Sequence, residues 1–229
     1  MSKYLIIGGN SDIAFEFARI LLKNNHEIVM SSKNYDKLLL NSKKLEVEFN
    51  VKIKKLHIDI ENLNDFDNYI QDLDKDIQCI FFSCGYIEKK EINLNKIKNI
   101  NYIGPKIFID KILKTINIKK IIAITSIAAK RVDYKSKTYS YSKKLFNDYL
   151  YSLNKIKEFS DIEVKIILPG YVKTKMTKDL KIPSILSTTP KKLSLDIYGA
   201  LNKNQKEIIT PKYWVILVFL FNLLFFFRK

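Results

Sequence analysis

Seven short apolar runs (Tyr4 to Ile7, Glu27 to Ser32, Val51 to Asp59, Gln78 to Gly85, Lys119 to Ser126, Glu163 to Pro169 and Glu207 to Thr210) alternate with amphipathic stretches near 11–24, 36–49, 63–73, 96–115, 140–159 and 191–202. The runs are strand-sized, whereas the stretches between them space their apolar residues as helices do. Strand and helix in strict alternation predict βαβ units, and the parallel sheet that these build must be covered on both faces. The expected fold is therefore a doubly wound parallel α/β sheet. No repeat or low-complexity linker interrupts the pattern before Pro211, so residues 1–211 are expected to form one domain and residues 212–229 a hydrophobic tail. A chain of this length buries roughly 70% of its unfolded surface, ample for one core. The longest irregular connection, Lys173 to about Pro190, lies at the C-terminal edge of the expected sheet and reads as a substrate lid.

Tyr139 and Lys143 stand four residues apart, and Ser126 lies thirteen residues before Tyr139 at the end of an apolar run. Residues i and i+4 share a helix face, so phenol and ammonium can reach one bound molecule together. A free tyrosine titrates near pH 10, and a neighbouring cation is expected to lower that value. Ser126, at the C-terminal end of a strand in an open parallel sheet, is placed to hold a carbonyl oxygen that Tyr139 protonates.

Gly8 follows the first strand directly and precedes a helix whose apolar face includes Ile13, Ala14, Phe17 and Ala18. That context suits a dinucleotide-binding turn, in which glycine permits the tight bend and the helix amino terminus faces the pyrophosphate. The turn residues Gly8, Asn10, Ser11, Asp12 and Ile13 are the candidate contacts. Asp12 would repel a pyrophosphate unless its carboxylate turned away, and capping the helix gives it somewhere to go. The second strand closes on Lys33 with no acid, which favours a cation for a ribose 2′-phosphate and hence NADP(H) over NAD(H).

Taken with Asn101 in Ile100-Asn-Tyr-Ile-Gly104 and with Pro169-Gly-Tyr-Val-Lys-Thr174, these motifs resemble the short-chain dehydrogenase/reductases, whose Rossmann fold would cover roughly Lys3 to Pro211. The glycine turn departs from that family's Gly-x-x-x-Gly-x-Gly by carrying Asp12 and Ala14. The resemblance implies reduction of a carbonyl by a nicotinamide cofactor. Tyr139 would be the acid/base, Ser126 would hold the carbonyl oxygen, and Lys143 would bind the nicotinamide ribose. It further implies that Asn101 holds a water linking Lys143 to solvent, that Asp59 contacts the adenine ring, and that Thr174 bonds the carboxamide or the phosphates. In Phe82-Ser-Cys-Gly85 only Gly85 keeps the family's Asn-Asn-Ala-Gly.

The formal net charge of +16 raises nucleic acid as a partner, but only Arg19, Arg131 and Arg228 among the forty basic residues are arginine, the usual reader of base edges. The lysines are scattered, so no specific nucleic-acid partner is expected. Cys79 and Cys84 lack metal-ligand spacing and read as small buried hydrophobes; His26 and His57 are isolated, and no metal is expected. Lys3 leads at once into a strand and a glycine turn, from which a cytosolic amino terminus is expected.

Tyr213 to Phe227 contains one polar residue, Asn222, and is flanked by Lys212, Arg228 and Lys229. As a helix it would be about 22 Å long, short of the roughly 20 residues of a bilayer span. It is expected to anchor the enzyme on the cytoplasmic face of a bacterial inner membrane. A subunit interface in a homo-oligomer and a core helix are the alternatives. Lys130-Arg131-Val132, the Pro169 to Met176 segment and Glu207-Ile-Ile-Thr-Pro211 before an aromatic tail are similar to the decaprenylphosphoryl-2-keto-ribose reductases. That resemblance implies a polyprenyl-phosphate-linked 2-keto sugar, a flavin oxidase partner that makes it, and Lys130, Arg131, Lys173 and Lys175 as candidates for the lipid phosphate. Competing expectations are a ketoreductase of a soluble 3-oxoacyl or sterol-type substrate and a non-catalytic NADP-binding scaffold.

Overall fold

The computed structural model describes residues 1–87, 93–130, 137–179 and 183–226. Along the chain run β1 (Lys3–Ile7), α1 (Asp12–Lys23), β2 (Glu27–Ser32), α2 (Tyr35–Phe49), β3 (Lys54–His57), α3 (Phe66–Gln71), β4 (Cys79–Phe82), α4 (Leu94–Lys98), α5 (Gly104–Ile112) and β5 (Lys120–Ile124). There follow α6 (Lys137–Leu153), β6 (Glu163–Pro169), β7 (Tyr171–Val172), β8 (Ser187–Thr188), α7 (Pro190–Ala200), β9 (Glu207–Thr210) and α8 (Tyr213–Phe226). Seven strands pair in parallel in the order β3-β2-β1-β4-β5-β6-β9, which is the doubly wound sheet expected from the alternation.

Side chains alternate across a strand, so each central strand feeds two cores. Leu5, Ile7, Ile80, Phe82, Ile121 and Ile166 pack with Phe108 of α5 and Phe146 of α6. Tyr4, Ile6, Phe81, Ile122 and Ile167 pack on the other face with Phe17 of α1 and Leu193 of α7. Burial on both faces is why these strands read as continuous apolar runs. Strand order reverses between β1 and β4, and the crevice beyond their carboxyl ends is where such sheets take ligands.

Several element expectations are corrected. The stretch 96–115 is not one helix: Asn99–Ile103 widen into a π-helical turn between α4 and α5. Gly104 closes that turn under Ile60, whose carbonyl oxygen would lie 1.9 Å from a Cβ at position 104. Residues 63–73 form a 3-10 turn, Leu63–Asp65, and then α3. Of the 51–59 run only β3 pairs, and the helix expected over 140–159 begins at Lys137 and ends at Leu153. Within the 173–190 connection β8 pairs in parallel with β7, and residues 180–182 lie outside the described residues.

The apolar tail is helical as α8, and its two sides differ. Trp214 is 3% exposed and Val218 9%, and both join the core that contains α5 and α6. Ile216 and Phe219 are 64% and 65% exposed. The packed core thus continues past Pro211 into the first turns of α8. No described helix is long and apolar enough to cross a membrane.

Candidate active site

A cleft of about 580 Å³ opens at the carboxyl ends of β1, β4, β5 and β6. One end is the turn into α1, with Asn10, Ser11, Asp12 and Ile13; the other holds Ser126, Tyr139 and Trp214, with Gly85 and Lys143 between them. The structure therefore brings the expected serine, tyrosine and lysine to one cavity.

Ser126 follows β5, and Tyr139 lies in the first turn of α6; both side chains line the cleft. Lys143, one turn on, is 2% exposed; its Nζ donates to Cys84 O at 3.2 Å and lies 3.5 Å from Ile124 O. The expectation that Lys143 lowers the tyrosine pKa is corrected for the free protein: burial raises Tyr139, and the neighbouring Ser126 hydroxyl only partly opposes it. Burial also pushes Lys143 down to about 8. The ammonium is drawn to main-chain carbonyls, and the phenol stays protonated, as a proton donor must. The Cys84 thiol, pushed up to about 12 by burial, is no nucleophile.

Asn101, carried inward on the π-helical turn, is fully buried. Its Oδ1 accepts the Tyr86 N–H at 2.9 Å, and its Nδ2 donates to Tyr86 O at 2.8 Å and to Ser142 Oγ at 3.1 Å. Ser142 Oγ in turn donates to Tyr139 O at 2.7 Å. The amide thus ties the exit of β4 to the start of α6. Ser142 and Tyr86 escaped the sequence reading, although Ser142 at i+3 from Tyr139 shares its helix face.

Gly8 adopts φ +83°, and a Cβ there would crowd Cys84 Sγ at 3.0 Å and the Ser83 carbonyl at 3.1 Å. Ser11, not Asp12, caps α1: its Oγ accepts the Ala14 N–H at 3.1 Å and lies 2.7 Å from Ser83 Oγ. Asp12 turns to the loop after β7, where Oδ2 accepts the Lys175 N–H at 3.0 Å and Oδ1 lies 3.7 Å from Lys175 Nζ. The N–H groups of Asp12 and Ile13, in the first turn of α1, have no carbonyl within the helix to bond. With the glycine cradle and a diverted Asp12 carboxylate, they fit the pyrophosphate of a dinucleotide.

The remaining candidates divide. Asn10 lines the cleft, but its amide braces the turn, donating to Ser32 Oγ and Asn34 O at 2.8 Å each and accepting from Asn41 at 3.0 Å. Thr174 lines the cleft, its N–H donating to Thr177 Oγ1 at 3.1 Å. Lys33 is half-exposed at the end of β2, 3.6 Å from Glu61, and does not line the cleft, whereas Lys37 does. Asp59 Oδ1 accepts the Glu61 N–H at 3.0 Å and also stands off the cleft. Lys173 and Lys175 border a neighbouring recess with Lys178, Lys130 pairs with Glu207 at 2.6 Å, and Arg131 lies outside the described residues.

The sequence profile of the family described as short chain dehydrogenase matches residues 3–183. The chain belongs to that family. It is an NAD(P)-dependent oxidoreductase. No curated protein matches it by sequence. In fold this dehydrogenase is similar to a short-chain dehydrogenase from Sphingobium yanoikuyae in complex with NADPH, at 17% identity and a TM-score of 0.78 over 98% of this chain and 95% of that one. It is similar also to a 3-oxoacyl-[acyl-carrier protein] reductase from Brucella melitensis in complex with NAD, at 16% identity and a TM-score of 0.81 over 94% and 97% of the two chains.

Because Asp12 keeps a negative charge beside the pyrophosphate cradle, Asp12→Asn in this dehydrogenase should retain the bond to Lys175 and remove the repulsion. Titration at low salt should show NADPH binding about two- to fivefold tighter, the scale of one partly exposed charge. Clearly weaker binding would mean that the carboxylate takes a positive part in holding the cofactor.

Proposed function

We propose that the protein uses NADPH to reduce the keto group of a polyprenyl-phosphate-linked 2-keto sugar at the cytoplasmic face of a membrane. The observation that carries this reading is the two-sidedness of α8. Trp214 at its start lines the cleft, while Val215, Ile216, Phe219, Leu220 and Leu223 lie exposed beside it. An apolar face that continues outward from a catalytic cleft suits a substrate with a lipid arm, and a helix of 14 residues is suited to lying in the interface rather than spanning it. Lys173, Lys175 and Lys178 near the rim supply cations for the lipid phosphate.

Bound NADPH would supply the hydride. Gly8 and the first turn of α1 would hold its pyrophosphate, and Lys143 its nicotinamide ribose. The substrate carbonyl oxygen would sit between Ser126, whose hydroxyl donates a hydrogen bond, and Tyr139, whose phenol delivers the proton as the carbonyl becomes an alcohol. The phenolate left behind is held by the Lys143 ammonium and regains a proton from solvent. The meeting of Ser126, Tyr139 and Lys143 on one cleft favours this role over that of a non-catalytic scaffold.

For the adenosine end, the absence of an acid at the close of β2 and the presence of Lys33 there support NADP(H). Lys33→Asp should shift the affinity ratio about tenfold toward NADH, the scale of reversing one exposed charge. A ratio that does not move would leave Lys33 as a partner of Glu61 alone.

Flotation with anionic phospholipid vesicles tests the wider proposal, followed by rates on a polyprenyl-phosphate keto sugar in those vesicles and on a water-soluble keto-pentose phosphate. The protein should float even in high salt and favour the lipid-linked form. Protein that stays in the aqueous fraction and reduces both equally would instead be a reductase of soluble substrates.

A further inference from the structure

Trp214 is seated by shape. A Cβ at Gly170 would lie 1.9 Å from its Nε1 and 2.3 Å from its Cδ1 and Cε2, so the indole rests directly on the glycine. Tyr171 stands edge-on to it, ring centroids 5.5 Å apart at 69°. The indole Nε1 is buried with no hydrogen-bond partner among the described residues, so fit rather than bonding holds the ring. Its place in the cleft is specific. α8 packs against the Ile127–Lys130 turn that directly follows Ser126, which puts the indole on the side of the cleft where the carbonyl oxygen would be held.

We infer that Trp214 is the specificity-determining wall of the substrate end, limiting the bulk of the group attached to the reacting carbonyl, and that the bare backbone of Gly170 leaves room for its seat. This rests on the reductase reading above. Because α8 also presents the exposed apolar face, the wall and the expected lipid-facing surface belong to one rigid element. A residue that bounds the substrate end should alter discrimination between substrates without altering cofactor binding.

The test uses the full chain with NADPH and two ketones, cyclohexanone and the bulkier adamantanone, on wild type, Trp214→Ala, Trp214→Phe and Gly170→Ala. Trp214→Ala should raise the ratio of kcat/KM for adamantanone to that for cyclohexanone about tenfold or more, the lower end of what a small change in pocket volume produces. Trp214→Phe should fall between it and wild type, and Gly170→Ala should also relax the limit by unseating the ring. NADPH affinity should stay level in the two Trp214 variants. Trp214 is the single tryptophan of the chain, so its emission gives a second readout on wild type that survives even if Trp214→Ala fails to fold. Adding either ketone to the NADP⁺ complex should change that emission. An unchanged ratio in folded variants, or emission indifferent to a ketone that the enzyme reduces, would overturn the inference alone. Folded Trp214→Ala that, like wild type, reduces neither ketone while wild type reduces another would overturn the inference alone; wild type that consumes no NADPH with any ketone would overturn the reductase reading and this inference with it.

Discussion

Tyr139→Phe should lower turnover about 10²- to 10⁴-fold, the usual loss on removing a general acid, while NADPH affinity stays essentially unchanged. The substitution deletes one oxygen and keeps the ring that packs at the start of α6. Burial holds the phenol protonated in the free protein, so what disappears is a proton donor already in its working state. Lys143 sets a companion limit on pH. Its ammonium, needed to stabilise the phenolate, is lost as pH rises through about 8, so kcat/KM of wild type should fall above that pH. Steady-state kinetics over a pH series and an NADPH titration check both parts. Turnover within a few fold of wild type in the phenylalanine variant would remove Tyr139 from the chemistry.

Ending the chain after Lys212 should destabilise it severely, whereas ending it after Leu220 should not. The shorter chain loses Trp214 and Val218 from the core and uncovers Gly170. Removing a buried tryptophan costs about 3 to 5 kcal/mol, against a total stability of roughly 5 to 15 kcal/mol. For a domain of this size each kcal/mol shifts Tm by about 2 to 4 °C, so the drop should be about 6 to 20 °C. The longer truncation keeps both residues and should melt within a few degrees of wild type. Equal melting temperatures for the two truncations would mean that α8 contributes nothing to the core.

The sheet was legible because every central strand is buried on both faces and so reads as an apolar run. The meeting of Ser126, Tyr139 and Lys143 at one cleft was legible because helical spacing joins Tyr139 to Lys143 and a strand end supplies Ser126. What escaped depends on contacts between distant parts of the chain. The π-helical turn rests on how closely Gly104 approaches Ile60, which periodicity does not encode. Asp12 was expected to cap its own helix, but a partner 163 residues away takes its carboxylate and Ser11 provides the cap. The approach of Glu61 to within 3.6 Å of Lys33 is likewise a product of the fold. Trp214 was read as one more apolar residue of the tail, since only the fold reveals that Gly170 leaves it a seat in the cleft.

Whether this cleft reduces a carbonyl is decided by stoichiometry. Full-length protein is mixed with NADPH and a keto substrate, and the loss of nicotinamide absorbance is compared with the alcohol recovered. One alcohol should form for each NADPH consumed, with consumption dependent on the ketone and about 10²- to 10⁴-fold slower in Tyr139→Phe. Folded protein that binds NADPH yet consumes none with any ketone in a broad panel, lipid-linked keto sugar included, would contradict carbonyl reduction at this cleft.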